Sequence, residues 1–245
     1  VRVIEQSENV GYAGGNNVGL KYARNQRYTN VLIVNPDVVL EKHNLTRLLK
    51  SLKANPKYGV MCPVLTYSDA RTVWYAGAHI DQKYFEPMID HYRQPIADLP
   101  KSGVHSVESM IGAVALIRVE VFETAGFLDE RFFLYCEESD WSLTLRGNGW
   151  RIGCDMGSRF VHNVSSSTGG EGSELQLYYY IRNVLLFAQK HAPERLPVAL
   201  HYRYRCIAAH LKQVALGRSG HSLAGAWAIA RGIRDFRHGR FGKMK

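Results

Sequence analysis

The feature that most constrains this fold is an alternation, in which short apolar runs are separated by stretches whose apolar residues recur at helical spacing. That pattern predicts a mostly parallel sheet joined by crossover helices. Residues 1–5 (VRVIE) and 31–34 (VLIV) read as the first two strands, and NVGYAGGNNVGLKYARNQ between them reads as a glycine-rich turn running into a helix. Leu45, Leu48, Leu49 and Leu52 then recur at i, i+3, i+4 and i+7, a one-faced helix stopping near Asn55-Pro56. Residues 58–67 read as a strand, 68–105 as an irregular excursion over the sheet, and 112–118 as strand-like again. A short helix around 119–125 with a Gly126 stop follows, then a helix ending at Gly147 to Gly149, a strand at 158–163 and a long helix at 174–190. Two further helical stretches, about 194–216 and 221–238, close the chain; in the second, Ala226, Ile229, Ile233 and Phe236 share one face.

The 245 residues are 46% hydrophobic with only 8 Pro and 22 Gly, which excludes a collagen-like or disordered chain. Four cysteines without a C-x-x-C pair exclude a disulfide framework or zinc knuckle and fit a reducing cytosol. No apolar run approaches the roughly 18–20 residues of a membrane span. The net charge of +9 is unevenly placed: residues 1–190 hold 20 basic and 20 acidic side chains, and residues 191–245 hold 11 Lys/Arg against Glu194 and Asp235. A neutral body therefore carries a basic C-terminal module suited to an anionic surface.

Polar chemistry concentrates in a few segments. Asn9 to Asn17 packs three glycines and three asparagines into nine residues behind the first strand. It is either an ordinary strand-to-helix turn or a ligand loop, since glycine permits close backbone approach and asparagine both donates and accepts. Asn35-Pro36-Asp37 ends the VLIV strand, where open α/β sheets bind ligands; it is either a turn or a seat for a hard divalent cation on a diphosphate. Glu137, Glu138 and Asp140 crowd three carboxylates into four residues, as a solvated helix start or as a general base with raised pKa. His162, before the loop SSSTGGEG, is either a hydrogen-bonded histidine or a metal ligand. No nucleophile elbow or Ser-His-Asp order suggests a hydrolase.

Taken in order, ENVGYAGGNNVGL, VLIVNPDVVL, IGAVALIRVEVFETAGFLDERFFLYCEESDWSLTLRGNGWRI, FVHNVSSS and YYYIRNVLLFAQKHAP resemble the family 2 glycosyltransferases. Within them the likeness is to the rhamnosyltransferase-like branch of bacterial surface polysaccharide assembly, and it covers about residues 3–193. The resemblance implies an α/β GT-A (Rossmann-like) nucleotide-diphospho-sugar transferase fold, with residues 1–193 as catalytic domain and 194–245 as a basic helical extension. It implies a divalent metal, Mg²⁺ or Mn²⁺, held by Asp37 as the last acid of a D-x-D-type motif and completed by His162. Asn35 takes that motif's first position, and Asn9, Gly14, Gly15, Asn16 and Asn17 line the donor site. Family members place a further strand, helix and strand ahead of the segment matching Val1, so the chain reads as incomplete at its N-terminus.

Glu137-Glu138-Ser139-Asp140 corresponds to the family's Glu-Asp-x-Asp stretch, whose acid deprotonates the acceptor hydroxyl in an inverting displacement. Glu138, where the branch more often has Asp, is the first choice of base, with Asp140 and Glu137 behind it. Arg182-Asn183 matches a recurring pair on the following helix. The implied donor is dTDP-rhamnose, then UDP-sugars such as UDP-galactofuranose or UDP-N-acetylglucosamine; the acceptor is a saccharide or lipid-linked, selected by residues 68–110. A cytoplasmic protein resting on the anionic inner face of the cell membrane is expected, without a nucleic-acid partner, because the charge lies outside the body. The competing expectation is a noncatalytic truncated GT-A domain acting as a binding or membrane-associated module.

Overall fold

The computed structural model describes residues 2–163, 172–218 and 220–244. Val1 of the first expected strand, and all of the SSSTGGEG loop except Gly172, lie outside the described residues. One seven-stranded sheet runs β1 (Asn30–Val34), β8 (Val114–Arg118), β3 (Tyr58–Thr66), β9 (Arg151–His162) and β2 (Val38–Val39), with β4 (Val73–Tyr75) beside β3 and β7 (Val104–Val107) beside β9. A separate hairpin pairs β5 (Ala78–Ile80) with β6 (Pro87–Ile89), so the excursion at 68–105 carries short strands.

The mostly parallel expectation is corrected: β3 with β9 is the parallel pair, and the other pairings of this sheet are antiparallel. β1, β3 and β9 do run the same way, as strands alternating with helices should. However, β8 inserts between β1 and β3 in the opposite sense, and β2, β4 and β7 also oppose them. Residues 2–5 form no strand; Val3 is 75% and Ile4 42% exposed. An apolar run without a neighbouring strand has no ladder to join.

β3 is almost wholly buried, the continuous apolar reading of a strand covered on both faces. Its Pro63 lacks an N–H, and here the register with β9 slips, from Pro63 opposite Asp155 to Val64 opposite Arg159. The slip places Met156 to Ser158 in a bulge, which explains why polar residues hid the first half of β9 from its sequence pattern. Across the sheet, α2 (Lys42–Ala54) buries Leu48 and Leu52 and exposes Leu49. Behind the site, α5 (Glu174–His191) packs Ile181, Val184 and Leu185 with Ile229, Ile233 and Phe236 of α7 (Leu223–Arg237). Gly232 makes this approach possible, since a Cβ there would lie 2.8 Å from Tyr178 O. α6 (Leu196–Ala215) bridges α5 and α7. No helix among the described residues is long and apolar enough to cross a membrane.

Candidate active site

Because β1, β3 and β9 are co-directed, their carboxyl ends share one sheet edge, and the antiparallel β8 starts there. Asn35 N donates to Ala113 O (2.9 Å) just past β1, and Val38 N closes the Asn35-Pro36-Asp37 turn on Asn35 O (3.2 Å). The turn feeds β2, whose Val38 pairs with His162. Two residues 125 positions apart thus meet: His162 Nε2 lies 3.1 Å from Asp37 Oδ1. Burial lowers the His162 pKa against the pull of the Asp37 charge, which favours the neutral imidazole that ligates metals. The Trp74 ring stands edge-on to it, 4.3 Å between centroids, and His162 Nδ1 is buried without a hydrogen-bond partner. Neighbouring ligands on an octahedral Mg²⁺ at about 2.1 Å stand about 3 Å apart. The Asp37–His162 spacing, 3.1 Å, fits two side chains that would hold one hard divalent cation. No cluster of three ligand side chains occurs among the described residues.

The acidic cluster opens α4 (Glu137–Gly147). Glu137 is 2% exposed and Glu138 is half-buried, and each leaves a carboxylate oxygen buried and unpartnered. Burial raises the pKa of both, and for Glu137 the neighbouring Glu138 charge raises it further. The helix start favours anions by only about 0.3–2 kcal/mol, so desolvation wins. Asp140 differs: it takes hydrogen bonds from Lys190 Nζ (2.7 Å) and lies 2.8 Å from His191 Nε2, tying α4 to the end of α5. It is placed as an anchor, with its carboxylate engaged.

The chain enters α4 through Phe133, Tyr135 and Cys136, all at positive φ between 64° and 71°. Each such residue costs on the order of 1–3 kcal/mol and persists only when its surroundings impose it. Arg182 and Asn183, both fully buried, supply the imposition. Asn183 Nδ2 sits 2.7–2.9 Å from the carbonyls of Phe132, Leu134 and Tyr135, and Arg182 donates to Phe132 O (2.9 Å) and Gly242 O (2.7 Å). The Arg-Asn pair is therefore the clamp that aims Glu137 and Glu138.

The glycine-asparagine segment differs from its expected form. α1 (Gly11–Asn25) begins at Gly11, so Gly14 and Gly15 lie inside a helix. Gly11 has φ +77°, and a Cβ there would lie 2.4 Å from Phe133 O. Gly14 is buried against Val10 while Gly15 faces open space. Asn9 accepts from Gly11 N (2.9 Å), and Asn16 donates to Tyr12 O (2.9 Å). Asn17 is spent internally, its amide bridging Leu128 and Glu130. Tyr12, which sequence reasoning passed over, donates to Gly112 O (2.6 Å). Its pKa is raised by burial first and then by the charges of Glu138 and Glu137. Met110 N donates to Ser142 Oγ (3.0 Å) on α4. The stretch from Met110 to Ala113 thus touches α4, Tyr12 and Asn35.

The central sheet is mixed, with β8 antiparallel between the co-directed β1 and β3, and its carboxyl edge carries the Asp37–His162 pair. A structure of GalNAc-T7 with UDP, GalNAc and Mn²⁺ has a similar fold, with TM-score 0.54 and 16% identity over 75% of this chain and 36% of that one. The profile of glycosyl transferase family 2 matches residues 1–126, and the chain belongs to that family. It is similar to the low-salt glycan biosynthesis hexosyltransferase Agl10 of Haloferax volcanii, 26% identical over 76% of this chain and 59% of that protein. It is also similar to the N-acetylglucosaminyl-diphospho-decaprenol L-rhamnosyltransferase of Mycobacterium tuberculosis, 24% identical over 66% of this chain and 56% of that protein. The chain thus spans less than two thirds of the length of these relatives.

Proposed function

We propose that this chain transfers a sugar, rhamnose first among the candidates, from a nucleotide-diphosphate donor to a saccharide or lipid-linked acceptor with inversion at the anomeric carbon. The observation that carries this reading is the Asp37–His162 pair, 3.1 Å apart at the carboxyl edge of the sheet; Glu137 and Glu138 open α4, which Met110 contacts through Ser142. dTDP-rhamnose is the favoured donor on the likeness to a rhamnosyltransferase, with a UDP-sugar next. Residues 1–193 are assigned to catalysis and 194–245 to an extension. The protein is placed in the cytoplasm at the inner membrane face, in surface polysaccharide synthesis of a bacterium.

Asp37 and His162 would hold Mg²⁺ or Mn²⁺, which would supply charge neutralisation to a departing diphosphate. Glu138, half-buried and unpartnered at one oxygen, accepts the acceptor hydroxyl's proton, and the oxygen so freed attacks C1 opposite the leaving group. Burial holds the Glu138 pKa up, which keeps the base strong. Arg182-Asn183 fixes the approach to α4, and Asp140 fixes its first turns against Lys190 and His191.

The test is a donor screen with each metal, reading released nucleoside diphosphate and the product's anomeric configuration by NMR. Inverted product with the wild type, donor binding without transfer in Glu138→Gln, and loss of metal-dependent turnover in Asp37→Ala are expected. Full transfer by Glu138→Gln would move the base elsewhere. Unchanged activity in Asp37→Ala would overturn the metal assignment.

A further inference from the structure

Helix α6 has two unlike faces. Ala199, Arg203 and His210 are buried toward the body. Roughly opposite, at about 100° per residue, Tyr204, Ala208, Leu211 and Ala215 form an outward apolar stripe, flanked by the exposed Arg205 and Lys212. α7 repeats the arrangement, burying Ile229, Ile233 and Phe236 while Leu223 and Trp227 face outward, 69% and 61% exposed. Arg234 stacks over the Trp227 ring at 5.9 Å. Arg237 on α7 reaches Tyr204 on α6 at 3.0 Å, so the outward faces abut. Of the fifteen large hydrophobic residues exposed among the described residues, six (Val198, Tyr204, Leu211, Leu216, Leu223 and Trp227) lie within 198–227.

The exposed charge carried by α6 and α7 themselves is of one sign. Of the two acids in residues 191–245, Asp235 is 4% exposed and surrounded by Tyr178, Arg234 and Arg240, and Glu194 lies before the start of α6. Lys212, Arg218, Arg234 and Arg237 are exposed. Outward Leu and Trp side chains framed by basic residues suit the boundary between acyl chains and anionic headgroups, where Trp is favoured and each Lys or Arg adds to attraction. A protein partner matching this charge would need an acidic rim, while an anionic bilayer supplies both apolar depth and negative charge.

We infer that the outward face of the α6–α7 hairpin is a docking surface for an anionic lipid bilayer, with Leu216, Leu223 and Trp227 entering the interface and Lys212, Arg218 and Arg234 resting on headgroups. This deepens the membrane placement given above. The inner side of α6 ties the surface to the rest of the molecule. Arg203 pairs with Glu86, Tyr180 donates to Glu86 (3.1 Å), and Tyr202 stacks on Tyr84 at 3.9 Å. The segment between β5 and β6, within the stretch expected to select the acceptor, therefore rides on the docking helix, and a lipid-linked acceptor would meet it at the bilayer surface.

The experiment is co-sedimentation of the full chain with phosphatidylcholine vesicles, with and without phosphatidylglycerol, across a salt series. Binding that requires phosphatidylglycerol and weakens with salt is expected. Leu223→Ser with Trp227→Ser should lower partitioning at least tenfold. Lys212→Gln and Arg218→Gln should each lower it about fivefold, with circular dichroism unchanged. Equal binding to neutral vesicles, or variants that bind as wild type, would overturn the inference. So would a concentration-dependent dimer abolished by Trp227→Ser, or binding to DNA in place of vesicles. Transfer to a water-soluble acceptor separates this from the catalytic reading: docking variants keep it, and its absence in wild type with intact vesicle binding would fail the transferase alone.

Discussion

Two polar pairs in this molecule are built on opposite terms. Asp37 and His162 are complementary, a carboxylate and an imidazole within 3.1 Å, each holding the other in place. Glu137 and Glu138 are alike in charge, one buried and one half-buried, and each has a buried, unpartnered oxygen. The first pair rests in the sheet edge with little strain. The second is held by three positive-φ residues and a two-residue clamp from α5. Under the proposed function the complementary pair suits a cation, and the like pair suits a proton.

Breaking the complementary pair should have the largest effect. Asp37→Ala is expected to lower metal-dependent transfer about 10³-fold or more, measured as diphosphate release, with the melting temperature nearly unchanged. In the like pair, Glu138→Gln should cost about 10²-fold or more in kcat with donor affinity retained, read by titrating the donor and timing turnover separately. Asn183→Ala removes the clamp without touching either pair. Leaving buried carbonyls unpaired costs roughly 1–3 kcal/mol, so lower stability in denaturant titration and roughly tenfold slower kcat are expected, and unaltered kcat would sever the clamp from the acid pair.

The smallest effect sharpens the contrast by pH. Glu137 has a folded-state pKa raised above its ordinary value by burial and by Glu138. The folded state therefore binds its proton more tightly than the unfolded chain, and its burial costs stability progressively as pH rises above the ordinary glutamate range, about 4.3. Glu137→Gln should raise the melting temperature at pH 8 by about 2–4 °C and leave it nearly unchanged at pH 4.

The elements most legible in sequence were those with strong periodicity. Leu45, Leu48 and Leu52 marked α2, and Gly126, at φ +65°, stopped α3 (Phe122–Ala125) where a stop was expected. Less legible was β9, because its bulge at Met156 to Ser158 interrupts the alternation that marks a strand, and α1, because glycines inside a helix look like a loop. Asp37, His162 and the acid cluster were visible as residue types at strand ends and a helix start. Tyr12 carried no signal, since a tyrosine in an apolar helix face looks like any core residue.

Sequence by itself determined the co-directed β1, β3 and β9, the basic character of the last helices and the placing of acids at the start of α4, because each rests on local periodicity or on counting charge. Only the tertiary structure decided that β8 would insert antiparallel between β1 and β3, that Asp37 would meet His162 across 125 positions, and that Asp140 would be spent on Lys190 and His191 while Glu138 kept a bare oxygen. Those outcomes depend on which backbone groups find partners across the sheet and which side chains are desolvated together. Local pattern does not contain that information, because hydrogen-bond pairing and burial are properties of neighbours that meet only when the chain has closed on itself.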